Sequence, residues 1–318
     1  MNAWNNRLLP PAAPDESLSV QLEHLLEQQR STWELFRNGE AALDSVTTKQ
    51  YTLNSSDIIV QSNPGRAIST NAKVDPASIA QRPCFLCPAS LPPQERGISF
   101  GRYIIMPNPF PILKNHVTIA FEKHLPQKLG GRTADLSALA EALGPDMFVL
   151  YNGPRCGASA PDHMHFQACC AQGVPLFEEF SCTADDNRFS ARSLWGRNLL
   201  CGSFSGRKKA AVALQQALAS LSSVTAGKDE PMLNIIIRSS GSRLHVALFP
   251  RAKHRSACYF APPDERLSIS PAAVEMAGIV VVADPGHFDR TTGDAVYAMY
   301  REVTLDDTLF SQVAKELE

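Results

Sequence analysis

The sequence predicts an α+β chain made of two similar units, the second without the first one's chemistry, and a helix ahead of both. Three observations predict it. Short apolar runs broken by turn signals alternate with segments of helical period, the mixture expected of α+β folds. The order helix, strand, turn, strand with a histidine near its start occurs twice, from Leu136 to Cys169 and from Lys208 to Phe249, as a duplication would leave it. A length of 318 residues, with 44% apolar and 19% charged side chains, gives material for about two globular units.

The elements follow in order. Residues 1–14 are proline-rich and read as a loose arm. Leu18, Leu22, Leu25, Leu26, Trp33 and Phe36 fall on one face of a helix, and this arm and helix form a leading segment over 1–49. The first unit spans 50–175. Asp57–Gln61, Tyr103–Met106 and Val117–Phe121 read as strands, the last two separated by Pro107, Pro109 and Pro111. Leu136, Leu139 and Leu143 mark a helix that stops at Gly144-Pro145, and Met147–Tyr151 and His163–Cys169 complete the unit as strands. The second unit spans 176–318. It has a helix over Lys208–Leu221, a strand over Leu233–Ile237, a turn at Ser239–Ser242 and a strand over Leu244–Phe249. Ser270-Pro271 reads as a helix start, Gly278 ends that helix, Ile279–Val282 is a strand, and a last helix is expected to be capped by Thr304.

Composition excludes several classes. Thirty basic against 32 acidic residues leave a net charge of −2, with no excess to neutralise a nucleic-acid backbone. The longest apolar run, near Ala277–Ala283, is far short of a membrane helix, and the first residues lack an apolar signal core. Eight cysteines in this length are too few for a disulfide scaffold, which leads us to expect reduced thiols in a cytoplasmic protein.

The chemistry concentrates in Asn152-Gly-Pro-Arg-Cys-Gly-Ala-Ser159-Ala-Pro-Asp-His163-Met-His165-Phe-Gln167. On a strand, His163, His165 and Gln167 share a face, and three buried polar groups there need a metal, a phosphate or a hydrogen-bond network. The glycine-rich loop before them, with Asn152 and Ser159, offers backbone N–H groups and short donors of the kind a phosphate pocket uses. Arg66 is a candidate for meeting an anion, with Arg155 and the Ser205–Lys209 helix start as weaker ones. Cys84-Phe-Leu-Cys87 forms a second cluster. Zinc, a redox pair and buried inert thiols are all open for it; the proline-rich stretch that follows is a poor helix start for a redox cysteine. If zinc, histidines must complete four ligands, with His163 and His116 as candidates. His124 and His254 read as strand-end histidines, His245 as a relic or core residue, and the other six cysteines, Cys156, Cys169, Cys170, Cys182, Cys201 and Cys258, as packing.

From Gln61-Ser-Asn-Pro-Gly-Arg66 through Arg82–Cys87, Asn108-Pro-Phe-Pro-Ile112 and Asn115-His116 to His163–Gln167, the sequence resembles the galactose-1-phosphate uridylyltransferase branch of the histidine-triad (HIT) superfamily. The nearer likeness is to its GDP-hexose and diadenosine tetraphosphate phosphorylases. The resemblance implies two HIT-like units of antiparallel sheet and packed helices, the second degenerate. It implies that His165 takes the nucleotidyl group and that Gln167 holds the transferred phosphate. It assigns Cys84, Cys87, His116 and His163 to a zinc or iron ion, and Asn108, Asn152 and Ser159 to substrate contacts. The expected reaction is nucleotidyl transfer from a nucleoside-diphosphate sugar or dinucleoside polyphosphate to phosphate or sugar phosphate, in a possible homodimer that binds neither nucleic acid nor membrane. A nucleotide hydrolase and a non-catalytic zinc-stabilised nucleotide binder are the alternatives.

Overall fold

A computed structural model of the chain describes residues 3–11, 13, 15–66, 75–179, 187–227 and 229–317. Cys182 lies outside them. Ser17 caps the first helix, α1 (Leu18–Thr32), by accepting from the Val20 N–H. The predicted single helix is two, because Trp33 takes an extended conformation (φ −124°, ψ 99°) and a second helix, α2 (Glu34–Ala42), starts after it. Trp33 and Phe36 are both buried, so the break keeps the apolar stripe facing the core. The leading arm is not loose. Trp4 is buried, its indole N–H donates to the Glu122 carbonyl at 2.9 Å, and Leu8 bridges to Gly97.

Next come β1 (Thr47–Leu53), β2 (Ser56–Ser62), a short helix α3 (Pro76–Gln81), β3 (Ile98–Phe100), β4 (Tyr103–Pro107) and β5 (Val117–Phe121). Helix α4 (Thr133–Leu143) leads to β6 (Met147–Asn152) and β7 (His165–Cys170), and α5 (Pro175–Glu179) closes the first half. The second half contains β8 (Ser190–Leu194), β9 (Arg197–Ser205), α6 (Arg207–Thr225), β10 (Leu233–Ser240) and β11 (Arg243–Pro250). It ends with α7 (Ala273–Met276), β12 (Ile279–Val282), α8 (Pro285–Arg290), α9 (Gly293–Val303) and α10 (Asp307–Leu317). Two predicted helix starts are corrected. Asp306, not Thr304, caps α10, accepting from the N–H groups of Thr308 and Leu309. Ser270 precedes α7 without capping it and instead bonds Arg255 and His254.

Nine strands form one sheet in the order β3-β4-β5-β7-β6-β10-β11-β9-β8, antiparallel throughout. Read outward from the β6–β10 seam, β6-β7-β5-β4 on one side answers β10-β11-β9-β8 on the other, with α4 and α6 in equivalent places. The two repeated segments therefore share one sheet. The alternation of strand side chains divides the core into two layers. Val149, Tyr151, Phe166, Ala168, Ile235 and Val246 face a layer closed by α1, α4, α6 and α10. Phe148, Leu150, Cys169, Ile236 and Phe249 face the other, closed by the small sheet β1-β2-β12 and by α7–α9. His165 and Gln167 alternate with Phe166 and so lie on this second face. No helix among the described residues is long and apolar enough to cross a membrane.

Helix α2 packs directly on the Pro107–Pro111 segment. A Cβ on Gly39 would come within 2.2 Å of the Pro109 carbonyl oxygen. Glycine inside a helix ordinarily costs about 1 kcal/mol relative to alanine, so propensity alone predicts that Gly39→Ala stabilises. We expect the reverse. The added methyl forces the helix off the segment, and thermal unfolding of the variant should occur below the wild-type temperature.

Candidate active site and metal centre

A cavity of about 430 Å³ opens on the second face of the sheet, and His165 and Gln167 lie in its wall. His165 is 2% exposed. Its Nδ1 lies 2.8 Å from the His163 carbonyl oxygen, and a carbonyl can only accept, so Nδ1 carries the proton and Nε2 keeps a lone pair. Burial holds this imidazole well below the usual histidine range, at about 4, so it is neutral at pH 7. A neutral imidazole with an unprotonated Nε2 is a competent nucleophile.

The Gln167 amide is oriented by a relay. The Ile112 N–H donates to His116 Nδ1 at 3.2 Å, so His116 Nε2 holds the proton and donates to Gln167 Oε1 at 2.7 Å. With its oxygen so engaged, Gln167 has its NH₂ left for the cavity. His116 is fully buried, which pushes it down to about 3 and keeps it neutral. A second relay sets Asn152. The buried guanidinium of Arg251 donates to Asn234 Oδ1, and Asn234 Nδ2 donates to Asn152 Oδ1, which also accepts from the Ala273 N–H, both at 2.8 Å. Asn152 too keeps its NH₂ end for the cavity it lines. Asn108, Ser159 and Arg66 line the same cavity. The Asn108 Oδ1 accepts from the Phe110 N–H, and Arg66 donates to the Phe110 carbonyl. At Gly157 (φ +98°) a Cβ would come within 2.5 Å of the Ala272 methyl, so the glycine-rich loop lies flat against the second half of the chain. That half contributes His254, Arg255 and Ser270 to the wall. His254 is thus a cavity residue and not only the end of a strand. Arg155 donates to the Glu230 carbonyl and does not line the cavity.

Cys84, Cys87 and His163 come together, but their fourth companion is His124; one ligand atom from each lies within 4.8 Å of all the others. His163 Nδ1 is 3.3 Å from Cys84 Sγ and 3.6 Å from Cys87 Sγ, and His124 Nδ1 is 3.3 Å from Cys87 Sγ. Ligands around tetrahedral zinc stand about 3.6 Å apart for a sulfur–nitrogen pair, given ordinary bond lengths. The donor set fits a metal. The supporting contacts fit too. His163 Nε2 donates to the Phe121 carbonyl at 2.8 Å, which leaves Nδ1 as the ligand atom, and Asp162 stands 3.9 Å from His124 Nε2 while paired to Arg82. A redox pair would need a lowered thiol pKa. Here burial first, and the neighbouring Cys84 next, push Cys87 up to about 11.

The expectation that His116 joins the metal cluster is corrected. The two histidines flank opposite ends of β5, a strand whose register with β7 pairs Val117 with Ala168 and Ala120 with His165. His116 thereby reaches Gln167, whereas the chain beyond Phe121 runs back beside Met164 and delivers His124 to His163. The antiparallel order of β5 and β7 is the signal that would have chosen His124. Strand β7 also starts two residues later than expected, so His163 precedes it and turns to the metal cluster. Gln127 was missed altogether. This buried side chain accepts from the His165 N–H at 2.8 Å and donates to the carbonyls of Asn152 and His165, filling the gap where β6 and β7 diverge.

Comparisons with known proteins match this architecture. Residues 25–170 match a domain of unknown function, DUF4922, and residues 203–317 match the GDPGP1-like, C-terminal domain. No curated protein matches the sequence. The crystal structure of yeast Ap4A phosphorylase Apa2 superposes with a TM-score of 0.58 at 16% identity, covering 92% of this chain and 95% of that one. Its complex with Ap4A gives 0.61 at 15% identity, covering 91% and 98%. The likeness shows a shared fold, that of the yeast Ap4A phosphorylase. Both matched regions contribute to one cavity, the first with His165 and Gln167 and the second with His254, Arg255 and Ser270.

Two outcomes follow from the site. In metal analysis of purified protein, His124→Ala and Cys84→Ser should lose the bound ion and melt earlier, because metal binding adds to folding energy, whereas His116→Asn should keep the ion. Gln127→Ala leaves three buried backbone groups without partners and should cost about 2–4 kcal/mol in denaturant unfolding.

Proposed function

We propose that the chain is a nucleotidyltransferase of the phosphorylase type, working by double displacement through His165. One observation carries this reading: an Nε2 lone pair beside an amide NH₂ in the wall of one cavity, both oriented by fixed hydrogen bonds. Such an arrangement suits attack on a phosphorus whose non-bridging oxygens are held by amide donors. In the first step His165 Nε2 bonds to the phosphorus and the bond to the leaving phosphate oxygen breaks, its electron pair departing with that oxygen. The positive charge that develops on the ring is met at Nδ1–H by the His163 carbonyl. In the second step an oxygen of inorganic phosphate or a sugar phosphate attacks, and the P–N bond returns its electrons to the imidazole. A phosphate leaving group, whose second pKa is about 6, departs without a general acid. Gln167 cannot act as one, so water gains little help, and transfer prevails over hydrolysis.

The substrate we infer is a nucleoside-diphosphate sugar or a dinucleoside polyphosphate, in keeping with the fold shared with an Ap4A phosphorylase. Asn108, Asn152, Ser159 and Arg66 are assigned to its ribose and phosphates. His254 and Arg255 face them from the far wall and suit the second phosphate. Zinc is the ion that the two thiols and two imidazoles of Cys84, Cys87, His124 and His163 favour. It would fix the loop and the peptide that hold His165, with iron as the other candidate.

Intact-protein mass spectrometry tests the reading. With a donor and no acceptor, one nucleoside monophosphate should add per chain, map to His165 and leave when phosphate is supplied. His165→Ala should lower turnover on the order of 10⁴-fold or more. Product without any adduct in single-turnover mixing would refute double displacement. Gln167→His should raise the ratio of hydrolysis to phosphorolysis, read from products formed with and without phosphate.

A further inference from the structure

Residues 3–11 give no ligand to the metal cluster and no side chain to the cavity wall, yet they are tied to both segments that carry the outer ligands. Cys84 and Cys87 stand on the loop that ends at Gly97, and His124 stands on the turn after β5. The Trp4 indole N–H donates to the Glu122 carbonyl at 2.9 Å, just ahead of His124 in the chain. Trp4 is 2% exposed and shares a small core cluster with Leu86 and Leu91 of the cysteine loop, Ala120 of β5 and Ala160 of the glycine-rich loop. Cys84 packs against that cluster. The Arg7 guanidinium donates to the carbonyls of Pro92 and Leu91 at 2.7 and 2.9 Å, and the Arg7 carbonyl and Leu9 N–H both pair with Gly97. The Arg7 N–H donates to the Trp4 carbonyl at 2.8 Å, so the two anchors sit on one tight turn.

The far end of the cysteine loop has an anchor of its own. Gln29, a fully buried residue of α1, donates to the Gln94 carbonyl at 3.1 Å and accepts from the Arg96 N–H at 2.9 Å. The cluster itself lies close to solvent, because 47% of the His124 side chain is exposed. An ion held by four ligands leaves in steps. A ligand that has let go returns at a rate set by its effective concentration, which falls when the segments bearing the ligands drift apart.

We propose that residues 3–11 form a strap that sets how fast the metal centre exchanges its ion, with Trp4 and Arg7 as its positioning residues. The inference rests on the reading that Cys84, Cys87, His124 and His163 hold zinc. Trp4 keeps the His124 turn beside the cysteine loop while one ligand is off, so that religation outruns capture by a competitor. Arg7 keeps the same loop seated under the Trp4 ring. The bonds that orient His165 and Gln167 involve no described residue of the arm, so the strap acts on the ion and leaves the tautomer of His165 to its own partners.

Release of zinc to an excess of a chromogenic chelator tests this in the full-length, zinc-loaded protein. We expect Trp4→Ala to release zinc about tenfold or more faster than wild type, since it removes a large buried side chain from the joint. Trp4→Phe keeps a ring and loses the indole donor, and Arg7→Ala loses two hydrogen bonds; each should speed release by about fivefold. Val313→Ala serves as the control, because Val313 is buried on α10 in the other core layer. A merely structural arm would place every variant on one line of release rate against melting temperature. The strap places the Trp4 and Arg7 variants well above the Val313→Ala value at equal loss of melting temperature. Should Trp4→Ala fail to fold, Trp4→Phe and Arg7→Ala decide by the same comparison. Release at the wild-type rate, or acceleration that Val313→Ala matches, would overturn the strap and leave the metal reading standing. A wild type that takes up no zinc would overturn both.

Discussion

The hydrogen bond from His165 Nδ1 to the carbonyl of His163 ties the site together. One residue serves two centres through different atoms. The His163 ring turns away to the thiols of Cys84 and Cys87, and its carbonyl turns to the neighbouring imidazole and fixes the tautomer. Anything that secures the His163 ring therefore secures the proton on His165, and with it the lone pair that faces the cavity. The Cys/His cluster and the imidazole proposed as nucleophile are mechanically linked without sharing a ligand atom. Gln127 holds the adjoining backbone by accepting from the His165 N–H and donating to the His165 carbonyl.

Both amides that face the cavity are set by groups unable to reverse their roles. A backbone N–H can only donate, so Ile112 forces the His116 tautomer and through it the orientation of Gln167. A guanidinium can only donate, so Arg251 forces Asn234 and then Asn152. Two relays that start from obligate donors end in two NH₂ groups beside His165. An anion arriving there meets donors already aligned, which is the condition for electrostatic stabilisation without reorganisation. One relay starts in the first half of the chain and the other in the second, so both halves contribute to the site, although His245 does not line this cavity.

Local pattern was enough to find much of this. Periodicity placed β5, β6, β11 and β12 nearly to the residue but stopped β10 three residues short of Ser240, and the repeated helix–strand–turn–strand order foretold the matching halves of the nine-stranded sheet. The face shared by His165 and Gln167 followed from the two-residue period of a strand. What was not legible depends on distant pairing. Choosing between His116 and His124 requires the β5–β7 register, which no local window contains. Gln127 and Gln29 look like ordinary polar residues in sequence, and their importance comes from filling gaps where strands part or loops turn. Trp4 in a proline-rich arm gave no local sign that it would be buried 118 residues away against Glu122. The break at Trp33 preserved the apolar stripe, so periodicity could not reveal it.

The segment from Pro107 to Pro111 has a thermodynamic consequence of its own. Three of its five residues are prolines, with φ fixed before folding begins, and its Asn108 and Phe110 are joined to one another by a side-chain bond. Gly39 lets α2 seat directly on its middle peptide. A cavity wall built this way has surrendered its conformational entropy during synthesis and folding, not at the moment of encounter. Ligand binding then orders little backbone on that side, and more of the contact energy made there appears as affinity.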